Sequence, residues 1–164
     1  MDILDVFKAR KSIRKFGIND VLDSDVEKII RAASLAPTAR NVQPWEFVVV
    51  KDRNRIIELA DIVSPNGAFI KEAGACIVVF CIDTKYYLED GCAATTQALL
   101  CAGQLNLGSC WVAGDKKDYC EKVKALLNVP EEFKLISLIA LGEPNESPNP
   151  PKRDVHGMIH KERF

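Results

Sequence analysis

The stretch Ala36-Pro37-Thr38-Ala39-Arg40-Asn41-Val42-Gln43-Pro44-Trp45-Glu46-Phe47 joins two elements of different kind. Upstream of it, Val26, Ile29, Ile30 and Ala33 recur at helical spacing, and Asp23 or Ser24 can cap the helix they define. Pro37 ends that helix, because proline lacks the N–H a helix needs and forces its predecessor out of the α region. Pro44 then opens a strand, Trp45 to Val50, rich in β-branched residues. Between the prolines runs a polar loop. Its Asn41 and Gln43 amides both donate and accept, which suits reading the edge of a ring that carries mixed donors and acceptors. Turn chemistry beside a core tryptophan accounts for the same residues equally well.

Toward the N-terminus, Ile3 to Ala9 forms a short helix with Ile3, Val6 and Phe7 on one face. It leads into Arg10-Lys11-Ser12-Ile13-Arg14-Lys15-Phe16. If this segment is extended, Arg10, Ser12 and Arg14 point the same way, because strand side chains alternate. Two guanidinium forks and a hydroxyl on one side make a phosphate clamp. A solvated basic turn is the plainer alternative.

Toward the C-terminus, Asp52 to Asp61 reads as a helix, and Pro65-Asn66-Gly67 as a turn. A short helix through Ile70 follows, then the strand Cys76 to Ile82. The longest element, Tyr86 to Leu107, is apolar nearly all round and so is expected to be buried on several sides. Its many small residues let another helix approach, and Gly108 suits the position just past its end. Leu107-Gly108-Ser109-Cys110-Trp111-Val112-Ala113-Gly114 follows, and Gly114 can let backbone N–H groups come close to a flat ligand. Ser109 to Ala113 and Leu135 to Leu141 read as strands, and Asp118 to Leu127 as a helix. Beyond Gly142 the chain becomes a proline-rich arm that passes through Lys152-Arg153 and cannot build a core of its own.

Composition narrows the classes. The 164 residues are 48% hydrophobic and 27% charged, which fits one domain with a real core. A net charge of -1 gives no global reason to bind nucleic acid or an anionic membrane. The apolar runs are too short to span a bilayer and no signal peptide is read, so a cytoplasmic chain is expected. The six cysteines show no CxxC pair, and His156 and His160 lie far from them in sequence, so no metal site is expected and the thiols read as small hydrophobes. No glycine-rich strand-to-helix turn supports a dinucleotide-binding Rossmann unit, and no P-loop is present.

Taken in order, the RxSxR motif at Arg10 to Arg14, the Ala36 to Phe47 motif and the Leu107-Gly108 segment leading to Gly114 resemble the nitroreductase family of flavoproteins. The resemblance runs from about Ile3 to the C-terminus. It implies an α+β, three-layer fold with a small, mostly antiparallel sheet flanked by helices, in an intertwined homodimer. Residues 1–164 then form one FMN-binding domain, with 143–164 an arm on the partner subunit. Carried onto this chain, the family pattern assigns Arg10, Lys11, Ser12 and Arg14 to the FMN phosphate and ribityl chain. Lys152 and Arg153 resemble the C-terminal phosphate ligands; their compressed spacing leaves open which of the two serves. Pro37, Thr38, Ala39 and Asn41 would reach the flavin of the other subunit, and Val112, Ala113 and Gly114 would face its N5 edge.

The implied activity is ping-pong hydride transfer from NAD(P)H through the flavin to a small acceptor such as a nitroaromatic or a quinone. An FMN sensor or carrier without turnover is the alternative. No acid or base residue is assigned. Two departures matter for substrate identity: many members carry a covering helical segment after the central helix that this chain lacks, and Ala113 stands where an acidic residue is common.

Overall fold

Four runs of β-branched and other apolar residues pair into one sheet: β1 (Trp45–Val50), β2 (Ala75–Ile82), β3 (Gly108–Ala113) and β4 (Phe133–Gly142). The computed structural model describes residues 2–164. The strand order is β1-β2-β4-β3, and every neighbouring pair is antiparallel. An all-antiparallel sheet leaves no place for a βαβ unit. The antiparallel sheet flanked by helices is therefore present as expected.

Central strands β2 and β4 are apolar on both faces because helices cover both. Cys76, Val78, Phe80, Leu138 and Ala140 pack with α3 (Arg53–Ile62) and α5 (Cys120–Leu126). Ala75, Ile77, Val79, Ile139 and Leu141 pack with α2 (Asp23–Ser34) and α4 (Tyr87–Gln104). A register shift between Val79 and Phe80 marks a bulge against β4. Thr95 ties α4 to the sheet, its hydroxyl lying 2.8 Å from that of Ser137. The first helix, α1 (Ile3–Ala9), lies against α4 and has no fully buried residue.

Several local expectations are corrected. Neither Asp23 nor Ser24 caps α2: Leu22 holds the N-cap position without a side-chain bond, and Asp23, already helical, pairs with Lys51. Helix α4 ends at Gln104 rather than Leu107, because Asn106 takes the left-handed position at φ 59. Asparagine tolerates that region better than most residues. Gly108 is thus no helix terminator. It begins β3, where a Cβ would lie 2.9 Å from the Ile13 side chain and 3.2 Å from Pro144 Cα.

The C-terminal arm starts against the rest of its own chain. Its first residues are bound to their own chain: Gly17 N donates to Glu143 O (2.8 Å) and Asn145 N to Lys15 O (2.9 Å). The Glu146 carboxylate accepts from the backbone N–H groups of Arg14 and Lys15. From Asn149 to Phe164 every residue is exposed. All six cysteines are free. Among the described residues no helix is long and apolar enough to cross a membrane, and no cluster could hold a metal ion.

Candidate cofactor-binding site

The chain leaves α1 at Arg10 in extended conformation and runs beside β3, with Ile13 N donating to Ser109 O (2.9 Å). Ser12 and Ser109 form a parallel bridge. Ile13 is buried, so its neighbours face outward, as the alternation of an extended segment requires. Arg10, Lys11, Ser12 and Arg14 form one wall of a cleft of about 740 Å³, and Pro148 to Lys152 form the opposite wall. Lys11 spans it, donating from Nζ to Asn149 Oδ1 at 3.0 Å. Of the C-terminal basic pair, Lys152 lines this cleft and Arg153 does not.

Arg14 also lines a second cleft of about 380 Å³, with Asn66, Phe69, Trp111, Val112, Ala113 and Tyr119 among its walls. Its guanidinium carbon lies 5.7 Å from the centre of the Phe69 ring, a cation–π placement that restrains the side chain. Arg14 is therefore common to the walls of both clefts, the first cationic and the second bordered by aromatic rings. Burial pushes the Cys110 thiol up, against the opposing pull of nearby Arg14. Cys110 lines the second cleft.

Gly114 has a different reason for being glycine than ligand approach. A Cβ there would lie 2.6 Å from Leu135 Cγ and 2.8 Å from the Ile136 backbone carbon. Its N–H donates to Ile136 O (3.0 Å), and its carbonyl accepts from the Cys120 thiol (2.8 Å). The Tyr119 hydroxyl donates to the Ala113 carbonyl. Val112 and Ala113 face the second cleft.

The Pro37 to Gln43 loop is absent from both clefts. Asp90, buried in the first turn of α4, accepts from the Thr38 hydroxyl (2.7 Å) and from Ala39 N (3.2 Å). Thr38 Oγ1 in turn accepts from Gln43 N (3.1 Å). Arg40, Asn41 and Gln43 all have positive φ, at 55, 56 and 51°. The loop thus sits at the start of α4. The clamp sits near its other end, where a Cβ on Gly103 would lie 3.2 Å from Arg10 Cα. At roughly 1.5 Å per residue, Asp90 and Gly103 are about 20 Å apart along the helix. Within one chain Arg10, Lys11, Ser12 and Lys152 line the first cleft, Val112 and Ala113 the second and Arg14 both, whereas Pro37, Thr38, Ala39 and Asn41 line neither.

The sequence reading did not assign Asn66, Phe69, Tyr119 or Asp90. Asn66 stood only as a turn residue. Asp90 carried one signal, a carboxylate at the head of an otherwise apolar helix.

The chain is similar in sequence and fold to known proteins. A family model described as "Nitroreductase family" matches residues 7–75, which include the clamp and the Pro37 to Gln43 loop. A "Putative NADH dehydrogenase/NAD(P)H nitroreductase" of Methanothermobacter thermautotrophicus is 34% identical, covering 100% of this chain and 88% of that protein. A protein of the same description from Archaeoglobus fulgidus is 33% identical, over 99% of each. The solved structure of an FMN-dependent nitroreductase from Clostridium difficile superposes with a TM-score of 0.91 at 29% identity, covering 99% of this chain and 100% of that one. The chain belongs to the nitroreductase family of oxidoreductases.

Proposed function

We propose that the two clefts that share Arg14 together hold FMN, with the phosphate at the Arg10-Ser12-Arg14-Lys152 end and the ring system along Val112 and Ala113. The carrying observation is Arg14, which lines both clefts. The donor set suits one phosphate monoester, since guanidinium forks and a lysine surround a single basin. Bound there, the flavin supplies a hydride relay from NAD(P)H to a small acceptor such as a nitroaromatic or a quinone. Similarity to an FMN-dependent nitroreductase supports the same reading.

The chain's own residues bind and orient. Arg10 and Arg14 supply forked donors, and Ser12 adds a hydroxyl between them. Lys11 holds Asn149 and so keeps the wall that carries Lys152 in place. Phe69 limits the swing of Arg14.

The loop Pro37 to Asn41 completes the site of a second copy of the chain. If two α4 helices cross antiparallel about a two-fold axis, the Asp90 end of one lies beside the Gly103 end of the other. The loop of each subunit then meets the clamp of its partner. An apolar groove of about 420 Å³ between Ile3, Phe7, Leu35, Leu100 and Cys101 offers the surface for that contact. Leu35, 74% exposed, is a residue that such an interface would cover.

The test is the visible spectrum of the purified protein, followed by heat release of the pigment and chromatography. FMN is expected, and recovery of mostly FAD would overturn the assignment. Anaerobic addition of NADH or NADPH is expected to bleach the flavin band. A band that survives both nicotinamides would mark a carrier rather than an oxidoreductase.

A further inference from the structure

We infer that Asp90 is a positioning residue that acts across the subunit boundary: its buried carboxylate holds its own chain's Pro37 to Gln43 loop in the strained shape that serves the partner's flavin. The inference rests on the shared-site reading above and goes beyond it by naming what sets the loop's conformation.

Asp90 is only 5% exposed. A buried carboxylate must recover its lost hydration through hydrogen bonds or ion pairs. Among the described residues no cation forms an ion pair with it. The two donors to its carboxylate both come from the loop, the Thr38 hydroxyl to one oxygen and the Ala39 backbone N–H to the other. The carboxylate and the loop therefore stabilise each other, and neither keeps its environment alone. Because Thr38 gives its proton to Asp90, its oxygen lone pairs are free to accept from Gln43 N, which carries the restraint across the loop. That restraint spans Arg40 and Asn41, both at positive φ, where a residue with a Cβ is disfavoured. Strain of this kind persists only when the surroundings over-determine it. The helix dipole does not account for Asp90, since Glu89, exposed in the same first turn, meets that need in water.

The experiment uses full-length chains carrying two different tags, co-expressed so that mixed dimers can be purified, with FMN affinity and FMN per dimer as readouts. Asp90→Ala and Arg14→Ala homodimers are each expected to bind FMN about tenfold to a hundredfold more weakly than the parent. A mixed dimer with one chain of each is expected to recover one site of parental affinity. In that dimer both defects fall on one site, and the other combines an intact clamp with an intact loop. A change that merely loosened the fold would not be complemented in trans. Asp90→Ala homodimers with parental affinity would overturn the inference and leave the FMN assignment standing.

Arg14→Ala paired with Asn41→Ala separates the remaining cases. If that pair complements and the Asp90 pair does not, the inference about Asp90 alone fails. If neither complements, the shared site fails and the inference falls with it. Should Asp90→Ala not fold, Asp90→Asn keeps the size of the side chain while replacing one acceptor oxygen with an amide donor, and must complement Arg14→Ala in the same way.

Discussion

Arg14 is the residue on which the site turns, because it borders both clefts and is steadied by Phe69. Arg14→Ala is expected to weaken FMN binding by about 1.5–3 kcal/mol, roughly tenfold to a hundredfold. Equal flavin content in variant and parent after dialysis would count against the clamp. Arg14→Lys should recover only part of the loss, since a point charge lacks the fork. Gly114→Ala should destabilise the fold by about 1–3 kcal/mol, because the added carbon meets the backbone of Ile136, which cannot rotate away. The denaturant midpoint reads this directly. Burial pushes the Cys76 thiol up to about 12. A folded-state pKa raised above the unfolded value means that the neutral thiol favours the fold. That contribution is fully present below about pH 9 and is lost as the pH rises toward 12. Cys76 should therefore stay unlabelled by thiol reagents at neutral pH until the protein unfolds, and rapid labelling of native Cys76 would contradict its burial. At this scale the placing of Arg10, Ser12 and Arg14 along one cleft was legible because arginine and serine alternate in one short run. The reason for Gly114 was not, because the strand it approaches lies well beyond it in the chain, across a whole helix.

Elements were more legible than their ends. Strand Trp45–Val50 and helix Ile3–Ala9 match the sequence reading residue for residue, since proline or a change of period marks their limits. Helix α4 was read too long at its C-terminal end, to Leu107 rather than Gln104, because Leu105 and Leu107 continue the apolar run and only the left-handed turn at Asn106 breaks it. The expectation that α4 is covered on several sides is met in part: Gly91, Ala94, Ala98 and Ala102 are buried within the chain, while Gln97, Leu100, Cys101 and Gln104 line the open groove. That groove supplies a prediction. Leu35→Asp changes a residue already 74% exposed, so it should leave the stability of an isolated chain within about 0.5 kcal/mol. If a second α4 covers the groove, the same change places an unpaired charge in a buried interface, and light scattering should report a monomer with little flavin. A Leu35→Asp variant that stays dimeric with full FMN would move the interface elsewhere.

For the whole molecule, the arm was the least legible part, because proline-rich polar sequence says that a segment needs a surface without saying whose. The structure divides it. Glu143 to Asn149 belong to their own chain, bound to Lys11, Arg14, Lys15 and Gly17, whereas the residues beyond are exposed throughout. A truncation that tests contact with a partner must therefore fall after Asn149, or it also removes the wall that Lys11 and Glu146 build. Ending the chain at Asn149 should leave the sheet and both helical layers intact, since nothing beyond that point enters either core cluster. In the dimer proposed above it should lower flavin content for two separable reasons: Lys152 is lost from the cleft, and a partner covered by the arm would lose that cover. Lys152→Ala in the full chain isolates the first, and should reduce FMN affinity while the dimer persists at the same dilution. Obligate dimers of this kind commonly bury more than about 2,000 Å². The truncated chain should therefore dissociate at a higher concentration than the Lys152→Ala variant if the arm contributes part of that area. Light scattering over a dilution series, read beside the flavin-to-protein absorbance ratio, distinguishes the two. If truncation and Lys152→Ala give the same dissociation curve and the same flavin loss, the arm beyond Asn149 acts through Lys152 alone and covers no partner surface.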